Sequence, residues 1–74
     1  MACKDIVAYL DHRKILEQVP DTLPQKETLE AMTPALEARL DPEDHAFIEA
    51  FDRLYPDQQK PFELLLRRLA AREE

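Results

Sequence analysis

Residues 41–72, DPEDHAFIEAFDRLYPDQQKPFELLLRRLAAR, are the most regularly patterned part of the chain. It contains two amphipathic segments, residues 42–55 and 61–72, joined by a short polar piece, residues 56–60. The first segment opens with the strongest helix start in the chain. Asp41 offers a carboxylate to the free N–H groups of a first turn, and Pro42 has its φ pre-set for the first helical position. Glu43 and Asp44 oppose the positive end of the helix dipole. Phe47, Ile48, Phe51, Leu54 and Tyr55 then recur as one apolar stripe, and Pro56 is expected to stop it. Pro61 is expected to open the second helix, with Asp57 offering an earlier turn. Its stripe is Phe62, Leu65, Leu66, Leu69 and Ala70, and Arg67, Arg68 and Arg72 lie toward the negative end of its dipole. The pattern predicts a helical hairpin with both stripes turned inward.

Outward from the hairpin toward the N-terminus, Leu29, Met32, Leu36 and Leu40 keep helical spacing. Thr22, followed by Pro24 and by Gln25 three residues on, has the spacing of a capping box at the start of that helix. Thr33-Pro34 interrupts the stripe without shifting its phase, which predicts a kinked or two-piece helix with one buried face. Val19-Pro20 closes the element before it, because a residue preceding proline is pushed out of the α region. In residues 4–19 the apolar groups form two clusters, Ile6, Val7, Leu10 and then Ile15, Leu16, Val19. On one straight helix these clusters point in different directions. Such a helix is either covered on two sides or broken near Asp11. The β-branched content of residues 5–10 also permits a short strand, although no second strand is available to pair with it.

The totals bound the possibilities. Residues 1–74 make one small helical domain, near the lower size limit for independent folding. Cys3 is the only cysteine, so no disulfide within the chain can brace it, and a reduced intracellular protein is the expectation. No signal-peptide pattern opens the chain, and no apolar run approaches a membrane span, so a cytoplasmic protein without membrane contact is expected. Glycine is absent, which removes most phosphate-cradling loops. The net charge of −6 arises between residues 21 and 55, where Asp21, Glu27, Glu30, Glu37, Asp41, Glu43, Asp44, Glu49 and Asp52 face only Lys26, Arg39 and Arg53. An acidic block of this kind repels nucleic acid and anionic membranes.

Few chemistries fit these residues. There is no serine, and nothing in sequence fixes His12 or His45 beside the Cys3 thiol, so nucleophilic catalysis lacks a scaffold. His45, Glu49 and Asp52 share one helix face, but the third sits two turns from the first and the face is the one on which solvated residues belong. Asp41, Glu43 and Asp44 lack the glycine and the terminal glutamate of a calcium loop. Paired carboxylates for acid–base work need a desolvated cleft, which a body of this size rarely encloses. The expectation is therefore no enzyme, no cofactor, no metal and no small-molecule substrate. Arg67, Arg68 and Arg72 permit an alternative reading as the recognition helix of a small helix-turn-helix regulator, although no basic arm supports it and the acidic block opposes it.

A protein partner accounts for more of the pattern. Leu64 points well away from the Phe62–Leu65–Leu69 stripe, so the apolar arc of the last helix is wider than one neighbour needs. The mixed facing of residues 4–19 points the same way. Burial of the two hairpin stripes alone does not offset the entropy of ordering them, so other helices or a second chain must pack on the hairpin. The expected function is a non-enzymatic interaction module, an adaptor, assembly factor or inhibitor, with self-association as a homodimer or a separate protein as its partner. Leu64, Leu65 and Arg68 are the expected contact residues, and Glu43, Asp44, Glu49 and Asp52 the acidic surround that steers a basic partner.

The run with Phe51, Leu54, Tyr55, Pro56, Asp57, Gln58, Gln59, Phe62, Leu65 and Leu66 resembles a hairpin of the flavin-assembly factors of succinate dehydrogenase. The resemblance covers under a third of the chain. It implies a small helical assembly factor, but that family's activity rests on an Arg-Gly motif, and this chain has no glycine to form one. No functional residue is carried over. The sequence therefore predicts an all-α fold, a compact bundle of three to five short helices centred on the C-terminal hairpin.

Overall fold

The computed structural model describes residues 3–72. It is all-helical, with α1 over Cys3–Gln18, α2 over Pro24–Ala38, α3 over Pro42–Asp52 and α4 over Pro56–Arg72. Helix α1 is unbroken through Asp11, and residues 5–10 are helical rather than extended. Helix α1 packs against both α2 and α4. Ile6 and Leu10 of its first cluster are buried, whereas in the second Leu16 and Val19 are half-buried and Ile15 is 45% exposed. Packing on two sides thus accounts for the first cluster and for only part of the second. Polar bonds mark α1 as the hub. His12 Nε2 and Thr33 Oγ1 are hydrogen-bonded at 2.8 Å and Tyr9 Oη donates to Glu37 at 3.4 Å, both toward α2. Arg13 donates two bonds to Asp52 of α3, at 2.8 and 3.1 Å. Lys14 pairs with Glu63, and Arg67 with Asp11, toward α4.

The buried apolar residues are Cys3, Ile6 and Leu10 of α1, Leu40 from the α2–α3 joint, Ile48 and Phe51 of α3, and Leu66 of α4. Val7, Tyr9, Phe47, Leu54 and Ala70 pack against them, half-buried. The core therefore centres on the side of α1 at which α3 and α4 meet it. Helix α2 covers the other side with half-buried Leu29, Thr33 and Leu36, and none of its residues is fully buried.

The ends of the helices show local chemistry at work. Helix α1 has no base in its last turn, and Lys26 of α2 supplies one by donating to the carbonyls of Leu16 and Val19. Helix α2 begins one residue later than the Thr22 capping box predicts. Pro24 takes the first helical position, so the extended residue before it, Leu23, becomes the N-cap without a side-chain bond. Pro34 does not divide α2 into two pieces. Glu30, whose carbonyl loses its partner to the proline, is exposed together with Pro34, so water can satisfy it.

Helix α3 begins as the sequence predicts. Asp41 Oδ1 accepts from the Asp44 N–H at 2.9 Å, and Asp44 Oδ2 accepts from the Asp41 N–H at 3.2 Å, a reciprocal capping box with Pro42 at the first helical position. Asp41→Ala is expected to lower stability by about 1 kcal/mol, read from a urea midpoint that shifts without a change in slope. Asp41→Asn, which keeps an acceptor, should recover most of the loss.

The far end of α3 departs from expectation. The helix stops at Asp52, short of residue 55, and α4 already starts at Pro56. Pro61 lies inside α4 and does not open it. Tyr55 is held out of the α region by Pro56, and Pro56 itself suits a first helical position. Gln58 Oε1 reaches back to the Tyr55 N–H at 3.3 Å, and Gln59 Nε2 donates to the Phe51 carbonyl at 3.0 Å. The stretch expected as a polar joint is thus the first turn of α4, fastened to the end of α3 by its two glutamines.

Candidate protein-binding surface

Helix α4 presents a different face to the core from the one its apolar stripe predicts. Gln59, Glu63, Leu66 and Ala70, spaced by four, three and four residues, are the buried or half-buried positions. Leu66 is 3% exposed, whereas Phe62 is 45%, Leu65 52% and Leu69 38% exposed. The helix is rotated so that only one edge of its apolar arc is covered. The ion pairs supply the reason. Glu63 and Arg67 flank Leu66 in sequence and engage Lys14 and Asp11 of α1, which seats Leu66 between them against the core. Glu63 also accepts from Arg67 at 3.1 Å. The bond from Lys14, reinforced by the one from Arg67, holds the Glu63 carboxyl below its ordinary range. The bond to Asp11, then that to Glu63, raises the Arg67 guanidinium above its own. These pairs lie near the surface and contribute orientation more than stability.

The uncovered stripe continues onto α3. Phe47, Ala50, Phe51 and Leu54 join Phe62 of α4 to line a shallow apolar cleft of about 140 Å³. That is well below the ~300 Å³ at which small-molecule pockets begin, and it suits a single inserted side chain. Tyr55, at the α3–α4 joint, is 73% exposed.

The residues expected to meet a partner fall into distinct settings. Leu65 lies on the uncovered stripe. Leu64 is 59% exposed but sits on the other side of α4, beside Lys60, Glu63 and Arg67. Arg68, Glu43 and Glu49 are exposed. Asp52 is exposed but is engaged by both nitrogens of Arg13, whose guanidinium this bond raises above its ordinary range. Asp44 is 1% exposed and belongs to the cap, so it is removed from the acidic surface. Its position follows from spacing: Asp44, Ile48 and Phe51 share the buried face of α3. The pattern Asp41-x-x-Asp44 carries that signal in the sequence. Phe62 and Leu69 were expected to face inward and instead extend the surface. The excess width of the apolar arc is the signal that something on α4 must stay uncovered.

Cys3 is buried in the core. Among the described residues no group of three His, Cys, Asp or Glu side chains is placed to hold a metal ion. Arg67 is engaged by two carboxylates, which leaves Arg68 and Arg72 of the three arginines that a recognition helix would need. Among the described residues no helix is long and apolar enough to cross a membrane. In comparisons with protein-family models, characterised proteins and solved structures, the chain matches none.

Proposed function

We propose that this chain is a non-enzymatic protein-interaction module whose contact surface is the outer face of α4 with the α3–α4 cleft beside it. The observation that carries the reading is the exposure of Phe62, Leu65 and Leu69 on one stripe of one helix. Large apolar groups scattered singly on a surface need no explanation, but a contiguous row beside an apolar cleft does. The row supplies contact area, and the cleft lined by Phe47, Ala50, Leu54 and Phe62 accepts one apolar anchor from the partner. Glu43 and Glu49 act at longer range, on the rate and selectivity of encounter, as exposed charges at a rim do.

The test is capture with a paired variant. Any protein retained by the wild-type chain, another copy of itself included, should be bound at least about tenfold more weakly by Phe62→Glu/Leu65→Glu. Both substituted positions are exposed, so helicity by circular dichroism should be unchanged. Equal retention by the variant, or no retention of any protein by the wild type, would sink the reading.

A further inference from the structure

We propose that the occupant of the α4 face is a second copy of this chain, packed through α4 in antiparallel orientation about a two-fold axis near Leu65. The inference rests on the interaction reading above and names its partner. Three observations carry it.

The first is which charges of α4 are already used. Glu63 and Arg67 are engaged with α1. Asp57, Arg68 and Arg72 are exposed and make no ion pair among the described residues. At 100° per residue Arg72 and Arg68 border the Phe62–Leu65–Leu69 stripe on the flank away from the core, and Asp57 lies at the outer edge of that flank, roughly 80° round from Leu65. An unpaired apolar row is therefore bordered by unpaired charges.

The second is their order along the helix. Asp57 stands in the first turn of α4 and Arg72 in its last turn, with Leu65 midway between them. A two-fold axis lying in the contact plane brings the same flank of both helices together and reverses one against the other. Asp57 of each copy then meets Arg72 of the other, Phe62 packs on Leu69, and Leu65 packs on Leu65. These pairings agree on the position of the axis to within a residue. A parallel two-fold would carry the same flank of the two helices to opposite edges of the contact, leaving Asp57 and Arg72 without each other as partners across it. The charge pattern is self-complementary in one orientation only, and that orientation also opposes the two helix dipoles favourably.

The third is where a chain of net charge −6 can approach its own copy. Helix α3 exposes Glu43 and Glu49 with no lysine or arginine, and α2 carries Glu27, Glu30 and Glu37 against Lys26 alone. Helix α4 carries Lys60, Arg67, Arg68 and Arg72 against Asp57 and Glu63. With Glu73 and Glu74 included, residues 56–74 carry four charges of each sign, so like-charge repulsion between copies is weaker there than at α2 or α3.

The test is sedimentation equilibrium of the full chain from about 1 µM to about 1 mM, with a charge-swap cycle. The wild type should show a reversible monomer–dimer equilibrium. Asp57→Arg and Arg72→Asp should each raise the dimer dissociation constant by roughly tenfold. Asp57→Arg/Arg72→Asp should return it to within about threefold of wild type, because each copy again presents opposite charges at the two ends. Circular dichroism of each variant checks that α4 stays helical. A wild-type chain that is monomeric throughout overturns the proposal, and so does a double variant weakened by the sum of the two single effects. If the monomeric chain still captures a different protein through Phe62 and Leu65, the second copy is refuted and the binding face stands. If it captures nothing, both fall.

Discussion

Leu66→Ala is expected to lower stability by about 3 kcal/mol, whereas Leu65→Ala, one residue away, should change it by no more than about 0.5 kcal/mol. The two substitutions remove the same atoms from the same helix, and alanine favours the helix slightly over leucine at both positions. Only the surroundings differ. Leu66 is enclosed by the core, so its removal loses the transfer free energy of the side chain and leaves a cavity that the neighbours refill in part. Leu65 is half in water already, and the space it vacates is solvent. In a domain of this size 1 kcal/mol corresponds to roughly 4–8 °C of melting temperature, so the separation is plain in a thermal melt at low protein concentration. If the predicted inward stripe were correct, the two variants would lose comparable stability. Equal destabilisation would therefore show that α4 is seated on its Phe62–Leu65–Leu69 face.

The second large effect belongs to α1. Ile6→Ala should cost about 3 kcal/mol, and Ile6→Val about 1 kcal/mol. Ile6 is 0% exposed and lies on the helix that α2 and α4 share as a neighbour. Relaxation around a cavity there is limited, because α1 is held through His12, Arg13, Lys14 and Asp11 by the helices that surround it. A chain of 74 residues has a stability of roughly 4–11 kcal/mol on the usual per-residue scale, so the alanine variant loses a large share of the whole. Chemical denaturation with a common slope gives the value. A loss below about 1 kcal/mol for Ile6→Ala would mean that α1 is peripheral and that the hairpin folds without it.

Much of the architecture was legible in the residues. The helical class of the chain from residue 24 onward follows from apolar spacing, whereas residues 4–19 do not keep the period and left a strand open over residues 5–10. The start of α3 follows from Asp41-Pro42 with Asp44 three residues on, and the end of α1 from Val19-Pro20. In each case a few adjacent side chains act on adjacent backbone groups, and no distant residue is needed. The misplacements share a cause as well. Pro56 and Pro61 are both acceptable first residues of a helix, and the choice between them was settled by the bond from Gln59 to the Phe51 carbonyl across the joint. Pro24 and Thr22 competed for the start of α2, and the fixed φ of proline prevailed over a side-chain cap.

The candidate surface was only half legible. Leu64 and Leu65 were read as contact residues and are exposed, yet they lie on different sides of α4. Asp44 was read as a surface acid and is a buried cap. Phe62 and Leu69 were assigned to the interior and are not there.

Local chemistry thus determined by itself that the chain is helical, where α1 ends and α3 begins, and that α4 carries more apolar surface than one neighbour can cover. Spacing along a helix defines such an arc but not which edge of it turns inward. That choice was left to tertiary structure, because it depends on side chains from elsewhere in the chain. Lys14 and Asp11 of α1 draw Glu63 and Arg67 to either side of Leu66, and the rotation that satisfies them leaves Phe62, Leu65 and Leu69 in water.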